Sequence, residues 1–183
     1  HAAAEARPSV ADRRDQRHGR VWRISHSNRP LLTPPNLETA SVEDVLPHLR
    51  DHEITTRALA RRRLQEGDPE RVLPALRTWV RGIDPGDPER ERLMLEALWI
   101  HQGLNEIEAT LLDQVLTAED PRIRAGGVRV LRWWQDYLPE SLAWLERAVL
   151  DPSQWVRLEA VLALGHRRDP RAAELVGLAA GQP

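Results

Sequence analysis

The sequence predicts an all-α protein: a right-handed α-solenoid of stacked helical repeats, entered through an extended N-terminal arm. Three observations predict it. An arginine recurs at positions 57, 92, 124 and 157, at intervals of 35, 32 and 33 residues, a period that marks helical repeats. In the better copies a small residue follows that arginine by three positions (Ala60, Gly127, Ala160). Seven positions after it stands a large apolar side chain: Leu64, Trp99, Leu131 or Leu164. Finally, helix-sized segments are separated by short breaks of the Asp-Pro or Gly-Asp-Pro kind, and short connections favour antiparallel neighbours.

The first 40 residues differ from the rest. Residues 1–12 are Ala-rich and polar and read as a linker or part of an incomplete upstream element. The start, His1-Ala2-Ala3-Ala4-Glu5, carries no initiator Met and no apolar leader, so the chain is expected to be a processed product or a piece of something longer. Gly19 suits a turn, and Val21-Trp22-Arg23-Ile24 is a short β-prone run. One strand cannot stand alone. It is expected to borrow partners from another domain or to lie on the helices as an arm. Pro30, Pro34 and Pro35 make residues 28–36 an extended linker, because proline blocks helix and sheet ladders alike.

From Ser41 the pattern is helical. Ser41 and Asp44 match the looser capping box, and Val42, Val45, Leu46 and Leu49 fall on one face. The spacing predicts helices over 41–50, 53–66, 69–82, 88–102, 105–117, 121–135, 139–150, 153–166 and 170–180. The domain division is therefore an arm, 1–40, and a repeat domain, 41–183. Asp before Pro starts a helix, since Asp caps it and the first turn tolerates Pro. Each repeat arginine and its apolar partner lie two helical turns apart, near one face. The arginine is expected to bond carboxylates or carbonyls of the turn in its own or the adjacent repeat. A helix pair of this size cannot bury its face alone, so stacking supplies the core.

Composition narrows the function. With 41% hydrophobic and 30% charged residues in 183, the chain as a whole is not disordered and can bury a core. The lack of Cys excludes disulfides, thiolate metal sites and a CxxCH haem attachment, and leaves the compartment open. No run approaches the roughly 20 apolar residues of a membrane helix. A net charge of −2 and a pI near 6.4 argue against a uniformly basic nucleic-acid binder. All 26 basic residues are Arg. Residues 1–50 carry eight Arg against six acids and the remainder 18 against 22, an asymmetry too small to name a partner.

The fragment from Asp151 and Pro152 through Val156-Arg157 to Leu164-Gly165 resembles a HEAT repeat of the short bacterial kind. The resemblance covers residues 41–180, closest at 151–165, looser at 120–131 and loosest at 88–100. Tetratricopeptide and ankyrin signatures are absent. A narrower resemblance lies in the order of segments. Gly19-Arg20-Val21-Trp22-Arg23-Ile24 is followed by Leu37-Glu38-Thr39-Ala40-Ser41-Val42, then Arg57-Ala58-Leu59-Ala60 and Glu96-Ala97-Leu98-Trp99. This succession is similar to the middle of large membrane-bound dehydrogenases of planctomycete-type bacteria, in which a β-propeller leads into HEAT-like repeats and then a c-type cytochrome. That resemblance implies a closing propeller strand at 19–24, a periplasmic or extracytoplasmic location, a part in electron transfer, and haem c in a domain outside this chain. No dehydrogenase or haem-binding residue carries over to this sequence.

Candidate sites are few. No catalytic, cofactor-binding or metal-binding residue is assigned. His48 and His52 have the spacing of zinc ligands on a helix, but Pro47 and Asp51 interrupt the helix and the HExxH order is absent, so they read as surface histidines. Arg132-Trp133-Trp134-Gln135-Asp136-Tyr137 is the densest aromatic cluster, of a kind suited to base stacking or a partner hot spot; the favoured reading is that one of Trp133 and Trp134 packs the core while the other covers a helix end. Trp79, Trp99, Trp144 and Trp155 are assigned to the core. Arg61-Arg62-Arg63 is a short cationic run balanced by Glu66, Asp68 and Glu70. The candidate partner-binding residues are Arg61, Arg62, Arg132, Trp133, Trp134 and Trp22. The expected role is a non-catalytic scaffold binding a protein partner or flanking propeller and cytochrome domains, with Ala172, Leu175, Val176 and Leu178 meeting a further repeat. The alternative is a nucleic-acid binder of the HEAT-like alkylpurine DNA glycosylase type, with a groove of Arg132, Trp133, Trp134 and Asp136. A third reading is an interaction subunit of a multi-protein complex independent of any dehydrogenase.

Overall fold

The computed structural model describes residues 28, 30 and 33–181. Trp22 and the expected strand at 19–24 lie outside them. Among the described residues there is no strand, and the helices belong to one compact unit, Pro35–Pro183. They are α1 (Val42–Val45), α2 (Ile54–Gln65), α3 (Pro69–Arg81), α4 (Arg90–Gly103), α5 (Ala109–Leu116), α6 (Pro121–Trp134), α7 (Ser141–Ala148), α8 (Gln154–Leu164) and α9 (Pro170–Ala180), with a 3-10 turn at Leu46–Arg50.

The helices form two layers. In one, α2 packs on α4, α4 on α6 and α6 on α8. The other helices lie against it: α3 on α4, α5 on α4 and α6, α7 on α6 and α8, and α9 on α8. This is the α-solenoid that the sequence predicts. Its core runs between the layers and is built from Leu64, Leu98, Leu112, Leu131, Leu145 and Leu164 among others. Of the four apolar partners of the repeat arginines, Leu64, Leu131 and Leu164 are buried and Trp99 is half-buried against the core.

Local chemistry explains the boundaries. Three helices start on the same device. Asp68, Asp120 and Asp169 each accept from the N–H two residues on, at 3.1, 2.8 and 2.9 Å, and each precedes a proline at the first helical position. Asp151 departs from the pattern. It too accepts from the N–H two residues on, Ser153 at 2.8 Å, but its carboxylate also holds Arg124, and α8 begins only at Gln154 with Ser153 as N-cap. At Ser41 half of the capping box forms: the Ser41 hydroxyl accepts from the Asp44 N–H at 3.1 Å, and donates to the Asp44 carboxylate at 2.7 Å. The helix expected over 41–50 changes to a 3-10 turn after Val45, because Pro47 has no N–H to continue it. The helix expected from 105 starts at Ala109. Asn105 turns left-handed (φ 57°), with the Glu106 N–H on the His101 carbonyl and the Asn105 N–H on Gln102, a Schellman end to α4.

The repeat arginines close their own turns. Arg57 donates to the carbonyls of Asp51 and His52, Arg124 to Ala118 and Glu119, and Arg157 to Asp151 and Pro152, all at 2.7–3.1 Å. Arg92 instead reaches back to the Leu49 carbonyl of the previous repeat at 3.0 Å, while Arg90 holds Ile83 of its own turn. The expectation of carbonyls from either repeat is met in both forms. Junctions are stitched by side chains as well. Arg50 meets Asp87 at 2.5 Å, Glu91 accepts from the N–H groups of Glu119 and Asp120, and Arg124 makes a two-pronged pair with Asp151.

Candidate binding groove

An open groove of about 500 Å³ runs across α2, α4, α6 and α8. Each helix contributes the residues around its repeat arginine. From α2 come Ile54, Arg57, Ala58 and Arg61; from α4, Arg92, Leu95, Glu96 and Trp99. The far half is Arg122, Ile123, Ala125, Gly126 and Arg129 of α6 with Trp155 and Glu159 of α8. Five arginines and two glutamates therefore share walls with an apolar floor.

The two glutamates are buried and paired across helices. Glu96 accepts from Arg61 at 2.8 Å, with Arg57 at 4.0 Å, and the Arg61 guanidinium lies 4.8 Å from the centre of the Trp99 ring. Glu159 is held by Arg129 through Oε1, while its Oε2 is buried without a partner. Buried carboxylates persist only when paired, and these pairs fix the spacing of neighbouring helices.

The residues assigned from sequence as partner-binding do not form one site. Arg61 lines the groove but is committed to Glu96 and Trp99. Arg62 is on the solvent side, paired with Glu66 at 2.8 Å. Arg132 lies over Trp133 at 5.7 Å, and Trp133 is 64% exposed at the end of α6. Trp134 is in the core, which leaves it no surface for a partner: adjacent positions on a helix point about 100° apart, so only one of the Trp pair can face inward. None of Arg132, Trp133, Trp134 and Asp136 lines the groove.

Trp155 moves the other way. The sequence assigns it to the core, and it is 59% exposed on the groove rim. A signal was present: the position two before the repeat arginine is Thr55, Arg90 and Arg122 in the other copies, polar each time. Trp79, Trp99 and Trp144 are half-buried against the core. The paired glutamates had a signal too. Leu95-Glu96-Ala97-Leu98 and Leu158-Glu159-Ala160-Val161 each set a carboxylate inside an apolar run, with an arginine 35 or 30 residues upstream. Of the four residues expected to meet a further repeat, Ala172 and Leu175 are already buried in this chain, where α9 packs on α8; Val176 is half-buried and Leu178 exposed.

A smaller cavity of about 320 Å³ lies between α3 and α5, with His101 among its lining. His101 is buried and its Nδ1 has no partner. Burial holds its imidazole below the ordinary value, against the opposing pull of Glu108. His48 sits in the 3-10 turn, 3.9 Å from Asp51. Among the described residues no three His, Asp or Glu side chains are grouped to hold a metal ion, and no helix is long and apolar enough to cross a membrane.

A family model described as HEAT repeats matches residues 108–180, which span α5 to α9 and the two copies whose motifs are clearest. No curated protein and no solved structure matches the chain. HEAT repeats suit a scaffold for protein–protein contacts, since stacked repeats present one continuous face.

Proposed function

We propose that this chain is a non-catalytic HEAT-repeat scaffold that seats a partner protein or a neighbouring domain on the face of α2, α4, α6 and α8. One observation carries the reading. The groove on that face leaves Ile54 and Trp155 open to solvent, while its buried carboxylates hold arginines. Polar groups that pair with one another and apolar groups left over describe a binding surface better than a reaction centre.

The narrower reading is that the partner is a redox assembly: a propeller and a c-type cytochrome of a periplasmic dehydrogenase, which this scaffold would position. Its support is the order of motifs from Gly19 to Trp99. The test is affinity purification of the tagged chain from its source cells, with intact mass and absorbance of what co-purifies. A stoichiometric protein partner is expected, and haem absorbance in it supports the redox assembly. A partner without haem overturns the redox assembly alone. Recovery of nucleic acid with no stoichiometric protein overturns the scaffold.

A further inference from the structure

We propose that the outward face of α8 pairs with the same face of a second copy of this chain, giving a two-fold dimer with α8 against α8 at its centre. The inference goes beyond the scaffold reading and does not depend on which partner the scaffold seats.

The exposed residues of α8 are Gln154, Trp155, Leu158 and Leu162, and none is charged. Trp155, Leu158 and Leu162, at spacings of three and four, form one stripe along the helix, and the two leucines are 49% and 44% exposed. The charges of α8 lie off the stripe: Arg157 is half-buried on the carbonyls of its own turn, and Glu159 is buried against Arg129. The repeat register identifies the face. Leu158 and Leu162 stand one and five positions after the repeat arginine, as do Leu93 and Ala97 of α4 and Ala125 and Arg129 of α6. Leu93, Ala97 and Ala125 are buried, and Arg129 reaches Glu159 of the following inner helix. α8 thus repeats the row with which an inner helix meets the next, and no further inner helix lies on it among the described residues. A repeat whose outer side meets only water is polar there, and an apolar one marks an interaction surface.

Charge selects a second copy as the occupant. A face without charge meets its own image with no like charges opposed, and it offers a foreign protein no charge to read. Pairing head to tail is less favourable. At the other end of the inner layer α2 exposes Ile54 and Leu59, but Arg62 stands between them around the helix, paired with Glu66 at 2.8 Å. Covering that side would desolvate an ion pair, whereas α8 on α8 desolvates none. With the two helices antiparallel, Trp155 of one copy lies beside Leu162 of the other and Leu158 lies next to the axis. This is the isologous arrangement, the commonest among homo-oligomers. α8 has 11 residues, about 16 Å of helix, so the face is small for a specific interface and pairing is expected in the micromolar range. Each protomer has its own core, so at lower concentration it remains a folded monomer with the stripe in water. Trp155 also stands on the groove rim, so pairing sets two grooves rim to rim.

The test is sedimentation velocity of the whole chain from about 1 to 200 μM, over which the mass should pass from protomer to dimer and no further. Leu158→Glu, at an exposed position, should weaken pairing at least about tenfold, with an unchanged melting curve at the dilute end. Leu158→Arg alone should do the same. Because the two-fold axis sets position 158 beside its own copy, an equimolar mixture of the Leu158→Glu and Leu158→Arg chains should recover the dimer. A natural chain that stays monomeric throughout, oligomers that grow past two, a dimer indifferent to Leu158→Glu, or a mixture that stays monomeric each overturn the proposal. None of these outcomes touches the partner that co-purifies from cells, so the scaffold reading stands or falls separately.

Discussion

At the scale of single residues, arginine makes the repeat. Arg57, Arg124 and Arg157 each bridge two carbonyls of the turn before their helix, and lone carbonyls there would otherwise need water. Arg124 does most, because it also joins Asp151 of the next repeat with both partners largely buried. Arg124→Ala should cost about 3 kcal/mol in urea unfolding, since it strands a buried carboxylate. Arg122→Ala removes a fully exposed cation and should leave the midpoint where it is. The pair also has a pH signature. Burial pushes the Asp151 carboxyl up, but hydrogen bonds from Arg124 and the Ser153 N–H outweigh it and hold the group below the usual value. Its stabilisation is complete above about pH 4 and is lost as pH falls through the folded value. Asp151→Asn should therefore be less stable than the natural chain at pH 7, with the gap closing below pH 4; a gap that stays constant to pH 3 contradicts this. His101 acts in a higher window. Burial depresses it, with Arg77 adding to that and Glu108 and Glu106 opposing, so the unfolded chain takes up a proton that the folded chain refuses. Stability should fall as pH drops below about 6.5, and His101→Leu should flatten that slope in thermal melts taken from pH 7.5 to 5.

At the scale of elements, the helices were legible because their punctuation is chemical. Asp68-Pro69, Asp120-Pro121 and Asp169-Pro170 start helices where the sequence says they do. The misplaced start of α5 has an equally local cause, the left-handed Asn105, whose conformation no periodicity encodes. How closely two helices approach was legible only in part. Gly127 stands at the small-residue position of its repeat, and a β-carbon there would lie 2.9 Å from Val115 and 3.2 Å from Leu116. Its neighbour Gly126 plays the same part toward Leu95 of α4, at 2.8 Å, which the repeat pattern did not single out. Gly177, in α9, has nothing within 4 Å. Replacing glycine by alanine in a helix gains about 1 kcal/mol from propensity, and overfilling a core costs about 1–3 kcal/mol. Gly177→Ala should thus raise the melting temperature while Gly127→Ala lowers it. The same sign for both would mean that the approach of α5 to α6 is not limited by that glycine.

At the scale of the molecule, position in the stack decides what a repeat residue does, and a single repeat cannot report it. Leu93 and Leu158 both follow their repeat arginine by one residue. Leu93 is 0% exposed and Leu158 49%. The two helices sit differently in the stack: α4 has inner-layer helices on both sides, α2 and α6, whereas α8 has α6 on one side and no other among the described residues. The candidate groove was illegible for the same reason. Its walls are assembled from four helices about 30 residues apart, so the cluster that looked dense along the chain, Arg132 to Tyr137, is dispersed by the helix turn, and Trp155 becomes its neighbour's rim. This makes a direct test of solenoid order. Leu93→Ala should cost about 2–5 kcal/mol, the range for emptying a core site, and Leu158→Ala well under about 1 kcal/mol, as for a surface leucine. If instead Leu158→Ala proves as costly as Leu93→Ala in the isolated chain, another part of the protein covers α8, and the search for the partner moves from the groove to that end of the stack.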